Sequence, residues 1–121
     1  MNDLKARTKK FALDVIRLSS SLPPKVEFQI INRQLIRAAT SVASNYRAAC
    51  RGKSRADFIH KISIVEEEAD ESSFWLEMLA ALGLHANPEM QRLLDEAEQV
   101  TKIMVSSKKT ARAGDSRTPA R

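Results

Sequence analysis

The 121-residue chain contains few of the residues that build disulfides, tight turns or membrane spans. Its single cysteine, Cys50, excludes an internal disulfide and favours a reducing cytoplasm. With three glycines and four prolines, long helices are favoured over a many-stranded sheet. No apolar run approaches the roughly 20 residues that span a bilayer, and the N-terminus lacks the apolar region of a secretory signal. These absences predict a cytoplasmic protein with no membrane partner. At 121 residues the chain is long enough to bury a core without disulfides or metals, and no cofactor is expected.

The net charge of +5 is distributed unevenly along the sequence. Residues 108–121 contain five cations and one acid, so they carry +4 and leave +1 for residues 1–107. The pI of about 9.7 is therefore weak evidence for a nucleic-acid partner. Because residues 108–121 are polar and lack periodicity, we predict a disordered basic tail there and a folded bundle in residues 1–107.

Apolar residues recur at steps of three and four in four stretches, which predicts four helices. The first is expected over about 3–20, and the second from residue 24 or 25 to about 51. Gly52 is predicted to close the second helix in a left-handed conformation. The third is expected to end near residue 83, and the fourth near 107.

Two helix starts carry capping signals. Ser54 and Asp57 predict a capping box at the start of the third helix. Asn87, Pro88 and Glu89 combine a cap, a first-turn proline and a first-turn acid at the start of the fourth. Four helices with short connections predict an all-α fold, an antiparallel up-and-down four-helix bundle.

An arginine stripe follows one face of the second helix. It comprises Arg33, Arg37, Arg47 and Arg51, interleaved with Thr40 and Ser44. Guanidinium groups present planar donor forks that suit phosphate, which predicts RNA or DNA binding. In the alternative interpretation, the stripe pairs with an acidic run on the third helix, Glu66, Glu67, Glu68, Asp70 and Glu71. The sequence leaves both alternatives open.

The stretch Gln34-Leu35-Ile36-Arg37-Ala38-Ala39, with Ser41-Val42 and Asn45, resembles the QLRRAA-SI-N signature of the 23S ribosomal RNA intervening-sequence protein family. Ser54-Arg55-Ala56-Asp57-Phe58 and the later Glu71 resemble its S-x-x-E-F start and its downstream glutamate. The resemblance covers about residues 8–107. Two segments depart from the pattern: Asn45-Tyr46-Arg47-Ala48-Ala49 replaces N-I-A-E-G, and Glu67-Glu68 replaces G-S.

The resemblance implies an up-and-down bundle that assembles into a homopentameric ring. It also implies similarity to the accessory variability proteins of diversity-generating retroelements. Those proteins form basic barrels that bind a reverse transcriptase and nucleic acid. A homo-oligomer with RNA, DNA or a reverse transcriptase as partner is therefore expected from the resemblance.

A second apolar face on the third helix predicts an interface. Phe74, Trp75, Met78 and Leu82 lie outside the main apolar stripe of that helix. Contiguous exposed apolar residues mark interaction sites, so we predict that these four residues form a homo-oligomer interface. The alternative is that Trp75 only widens the bundle core.

Asn45 falls on the apolar seam of the second helix, where an amide must find partners. Its predicted role is to set the register between helices, as a seam asparagine does in coiled coils. The alternative is a ligand contact.

Arg55 and His60 have the R-x4-H spacing of the ribonuclease motif of HEPN domains, which are also helical bundles. In that reading the pair acts on a scissile phosphate by proton transfer and charge stabilisation. No metal site is expected, because neither His60 nor His85 stands three residues after a glutamate. We predict a non-enzymatic accessory protein that associates with nucleic acid or protein. A structural protein-binding adaptor and a HEPN-like ribonuclease are the alternatives.

Overall fold

Four α-helices account for most of residues 3–114, which are the residues described by the computed structural model. They are α1 (Asp3–Ser19), α2 (Val26–Cys50), α3 (Arg55–Leu79) and α4 (Pro88–Gly114). A π-helical turn, Ala80–Leu84, follows α3. Residues 3–114 contain no β-strand, which confirms the all-α prediction.

The helices pack in the order in which they follow one another. α2 packs on α1, α3 on α2 and α4 on α3, while α1 and α4 close the bundle with a smaller contact. Short connections between long helices leave no room for a crossover, so neighbours run antiparallel. The packing order agrees with the predicted up-and-down bundle.

The apolar stripes read from the sequence form the core. On α2 and α3 the stripe residues from Phe28 to Leu79 are buried, with Asn45 and Phe58 half-buried. On α4 the whole predicted stripe is fully buried: Met90, Leu93, Ala97, Val100 and Met104. Full burial of one large aliphatic or aromatic side chain contributes about 1.5–3 kcal/mol, so these stripes supply most of the driving force for folding.

Ser54 and Asn87 cap their helices as predicted, whereas Asp57 reaches back to the Lys53 amide and not to the Ser54 amide of a standard capping box. Ser54 Oγ accepts a hydrogen bond from the Asp57 amide at 3.0 Å, and Asp57 Oδ2 accepts one from the Lys53 amide at 3.2 Å. Asn87 Oδ1 accepts from the amides of Glu89 at 2.8 Å and Met90 at 3.4 Å. These bonds satisfy donors that the first helical turn leaves unpaired.

The prediction of a left-handed Gly52 is wrong. α2 closes through right-handed geometry, with the Arg51 and Gly52 amides donating to Ala48 O and Ala49 O at 3.1 and 3.0 Å. In residues 3–114 the positive φ belongs to Gly83, at 112°, after α3. Gly52 instead relieves crowding, because a Cβ there would lie 3.1 Å from Ala49 O, closer than most Cβ contacts.

The boundary predicted between residues 107 and 108 differs from the structure. α4 continues through Gly114. Lys108 Nζ lies 2.7 Å from Glu66 Oε1, which ties this part of α4 to α3, and Ala111 and Ala113 favour helix. The remainder of the predicted tail, 115–121, lies outside the described residues.

α1 is shorter than its neighbours, with 17 residues against 25 to 27. The difference is roughly 12–15 Å of helix. Arg7 binds Glu96 through two bonds of 2.7 and 2.9 Å, and Arg92 Nη2 lies 2.8 Å from Asp14 Oδ2. These pairs place α1 beside the first half of α4. The opposite end of the bundle is therefore built from α2, α3 and α4.

Candidate nucleic-acid interface

The arginine stripe lies on the surface of α2, and all four guanidinium-bearing residues are exposed. Arg37 alone bridges to α3: its Nη2 donates to Glu71 Oε2 at 2.7 Å and to Glu68 Oε1 at 3.2 Å. Its Nη1 donates to Glu68 Oε2 at 3.3 Å. The bonds to Glu68 and then Glu71 raise the pKa of Arg37 above its ordinary value.

The other three stripe residues behave differently. Within residues 3–114, Arg33, Arg47 and Arg51 form no ion pair, although five acids lie on the adjacent helix. The structure thus divides the stripe: Arg37 is held by acids of its own chain, and three exposed guanidinium groups have their donors turned to solvent.

The acidic run is only partly used by these contacts. Glu66 is held by Lys108 of α4, and Glu68 and Glu71 by Arg37. Glu67 and Asp70 are exposed and form no ion pair among the described residues. The arginine stripe and the acidic run therefore form ion pairs only where Arg37 meets Glu68 and Glu71, among the described residues.

Asn45 is half-buried, and its amide is satisfied inside α2. Its Nδ2 donates to Ser41 O at 2.9 Å and to Ser41 Oγ at 3.0 Å. Neither bond crosses to another helix. At the start of α3, Asp57 accepts from Lys61 Nζ at 3.2 Å, and this bond followed by that of the Lys53 amide lowers the pKa of Asp57.

The apolar residues predicted as an interface are largely uncovered in the single chain. Phe74, Met78 and Leu82 are 49%, 38% and 46% exposed. Trp75 is half-buried against the core, and its Nε1 donates to Glu71 Oε2 at 3.0 Å. That bond and the bond from Arg37 lower the pKa of Glu71. The Phe74 and Trp75 rings pack edge to face, with their centroids 4.8 Å apart.

Two exposed α2 residues, Val26 at 66% and Ile30 at 55%, extend this surface. Arg37 contacts Glu71. In a pair of antiparallel helices, residues that lie the same number of positions before the first and after the second lie at the same height along the bundle. Seven steps lead to Ile30 on α2 and Met78 on α3, and eleven lead to Val26 and Leu82. We call Val26, Ile30, Phe74, Met78 and Leu82 the apolar surface. The α2 half of this surface is not predicted above, although Ile30 and Val26 lie seven and eleven positions before Arg37 on the same helical face.

Arg55 and His60 both lie on α3, in its first six residues. Five helical positions correspond to a rotation of about 140°, so the two side chains leave the helix in different directions. Arg55 is half-buried and His60 is exposed. In residues 3–114 no group of three or more His, Cys, Asp or Glu side chains is arranged to hold a metal ion. No helix in the same region is long and apolar enough to cross a membrane.

The fold and the exposed cationic helix define an all-α four-helix bundle protein with an arginine-bearing face. The family model for the 23S rRNA-intervening sequence protein matches residues 2–106, and the chain belongs to this family. The resemblance found in the motifs is thereby confirmed.

One solved structure extends the comparison. It is a protein of unknown function from the S23 ribosomal protein family of Bacteroides thetaiotaomicron VPI-5482. The two chains are 28% identical and superpose with a TM-score of 0.79. The match covers 87% of this chain and 97% of that one. Among curated proteins no match was found.

Proposed function

We propose that the protein is a non-enzymatic accessory factor that self-associates and binds the phosphate backbone of nucleic acid through α2. The observation that carries the proposal is the set of three exposed arginines, Arg33, Arg47 and Arg51, without an ion pair in the described chain. A guanidinium that is not already held by a carboxylate binds phosphate without first breaking an internal pair.

Support for RNA as the first ligand to test comes from the family. The family is named for an intervening sequence of 23S rRNA. The resemblance to retroelement accessory proteins adds a reverse transcriptase as a candidate protein partner. A location in the cytoplasm agrees with both partners.

The experiment is fluorescence anisotropy with a labelled RNA and a DNA of the same sequence over a series of salt concentrations. Wild-type binding is expected to weaken steeply with salt, since each phosphate contact releases counterions. Replacing Arg33, Arg47 and Arg51 by alanine removes three contacts, which lowers the slope of log K against log salt by about 2–3. Lack of wild-type binding at low salt contradicts the proposal.

Self-association forms the second half of the proposal, and the apolar surface supports it. Monomeric proteins rarely leave contiguous apolar side chains uncovered, and a second copy of the chain supplies a cover of the same chemistry. We expect light scattering to report a multiple of 13.5 kDa, with five copies for a ring. Ile30→Asp with Met78→Asp is expected to give a monomer. A monomeric wild type at micromolar concentration contradicts this half.

A structural adaptor is the second candidate, favoured by the same apolar surface. It predicts self-association or protein binding with no affinity for nucleic acid, so the anisotropy experiment separates the two functions. The ribonuclease alternative predicts RNA cleavage that His60→Ala abolishes. Equal or absent cleavage in both proteins excludes it.

A further inference from the structure

The charge of the bundle is concentrated at one end. Residues 43–66 and 108–114 contain eight lysines and arginines against two acids, a net charge of +6. The remaining described residues, 3–42 and 67–107, carry −2. The separation is invisible along the sequence, because the two positive segments are more than 40 positions apart.

The fold brings these segments together. The 2.7 Å contact between Lys108 and Glu66 places 108–114 beside the first half of α3. The short connection at 51–54 places the end of α2 there as well. α1 reaches only the edge of this level, where Leu4 packs against the core cluster that contains Tyr46 and Ile62. We call the part built from α2, α3 and α4, residues 43–66 and 108–114, the basic end.

The two acids of the basic end are already occupied. Asp57 is paired with Lys61 at 3.2 Å, and Glu66 with Lys108. Five exposed cations of the basic end form no ion pair within residues 3–114: Arg47, Arg51, Lys53, Lys109 and Arg112. The excess positive charge is therefore open to an external anion.

Helix ends account for only part of this set. Arg47 lies in the last turn of α2 and Arg112 in the last turn of α4, where a cation interacts favourably with the helix dipole. The helix dipoles therefore account for Arg47 and Arg112. Lys53 lies in the connection beyond α2, and Lys109 lies before the last turn of α4, so the dipole does not require them.

We infer that the nucleic-acid-binding surface extends over the basic end, and that a phosphodiester backbone crosses it from the end of α2 to the end of α4. The inference rests on the proposed function and extends it to Lys53, Lys109 and Arg112, which the arginine stripe does not include. Cations on three elements suit a polyanion longer than a single phosphate. The apolar surface lies toward the other end of α2, which leaves it uncovered when nucleic acid is bound.

The test uses the full-length chain and a short labelled RNA, offered as a single strand and as a duplex. Lys109→Ala with Arg112→Ala removes two cations of the basic end that lie on α4 and are not part of the arginine stripe. Lys9→Ala with Lys25→Ala removes the same charge elsewhere, from two exposed lysines without an ion pair in residues 3–114. Lys9, Lys109 and Arg112 lie within helices, which alanine favours, and the Lys25 side chain makes no capping bond. Both doubles are therefore expected to fold, and circular dichroism checks this.

The α4 double variant is expected to lower the slope of log K against log salt by about 2, with weaker binding at every salt concentration. The Lys9 and Lys25 control is expected to keep the wild-type slope. Equal effects of the two doubles overturn the inference, because net charge alone would then explain binding. Wild-type binding with no effect of the α4 double also overturns it and leaves the proposed function intact. Absence of wild-type binding overturns both.

Discussion

Arg37 Nη2 and Glu71 Oε2 lie 2.7 Å apart across the α2–α3 contact, and Trp75 Nε1 donates to the same carboxylate oxygen at 3.0 Å. Glu68 accepts two further hydrogen bonds from Arg37, one from Nη1 at 3.3 Å and one from Nη2 at 3.2 Å. This cluster uses one arginine of the stripe to fasten α2 to α3. It lies between the apolar surface on one side and Arg47 and Arg51 on the side of the basic end.

The energy of the Arg37–Glu71 pair is expected to be small, because the side chains are 49% and 36% exposed. A double-mutant cycle with Arg37→Ala and Glu71→Gln in urea unfolding should give a coupling of about 0.2–1 kcal/mol. The same cycle with Arg33→Ala, on the same helix without an ion pair in residues 3–114, should give none. Equal coupling in both cycles would contradict the assignment.

Asp14 is expected to be worth more to stability than any exposed acid. It is 7% exposed and accepts from Lys10, Arg17 and Arg92 at 2.6, 3.0 and 2.8 Å. Asp14→Asn keeps the shape but removes the charge, and we expect a loss of about 1.5–3 kcal/mol in the free energy of unfolding. Glu98→Gln, on the exposed face of α4, serves as the control and should change it by less than about 0.5 kcal/mol. A loss for Asp14→Asn as small as that of the control would show that the network contributes nothing.

Acid should destabilise the fold through the same carboxylates. The bond from Lys10, aided by Arg92, lowers the pKa of Asp14 below its ordinary value, and the bond from Arg92 lowers that of Glu89. Groups whose pKa is lower in the folded chain stabilise it fully above their unfolded pKa, about 4. This stabilisation is lost as pH falls through the folded value. The free energy of unfolding, measured by urea at a series of pH values, should therefore be flat near neutrality and fall below about pH 4. Asp14→Asn should show a shallower fall, and an identical fall in that variant would argue against the role of Asp14.

Much of the fold follows from local patterns. The stripe of α4, the Ser54 and Asn87 caps and the four helices are encoded within a few residues of where they act, and periodicity exposes them. The polar residues 108–114 have no apolar periodicity that signals a helix, whereas in the fold α4 continues through them and Lys108 contacts Glu66. A glycine after a helix commonly has a left-handed conformation, which is why the sequence predicts one at Gly52. In the structure the absence of a Cβ matters there, because it avoids a close contact with Ala49 O.

The candidate site was harder to predict for a physical reason. Helical spacing placed four arginines on one face, but pairing depends on the level at which α3 passes them, and only Arg37 is level with Glu68 and Glu71. The basic end joins segments distant in sequence, and net charge summed along the chain assigned its basicity to a tail. Which arginines are paired, and which segments form the basic end, depend on the register between helices, and no single segment of the sequence determines that register.

Alanine substitutions at Gly83 and Gly52 distinguish the cost of backbone strain from the cost of side-chain crowding. Gly83 has φ of 112°, and a Cβ there would meet no atom within 4 Å, so Gly83→Ala strains only the backbone and should cost about 1–2 kcal/mol. Gly52→Ala meets Ala49 O at 3.1 Å, but it also restricts the unfolded chain, which stabilises by about 0.4–1 kcal/mol and offsets part of the crowding. Urea unfolding should therefore rank Gly83→Ala as the more destabilising change. Because asparagine tolerates positive φ better than alanine, Gly83→Asn should recover part of the loss. Equal stability of the alanine and asparagine variants at 83 would exclude backbone strain as the cause.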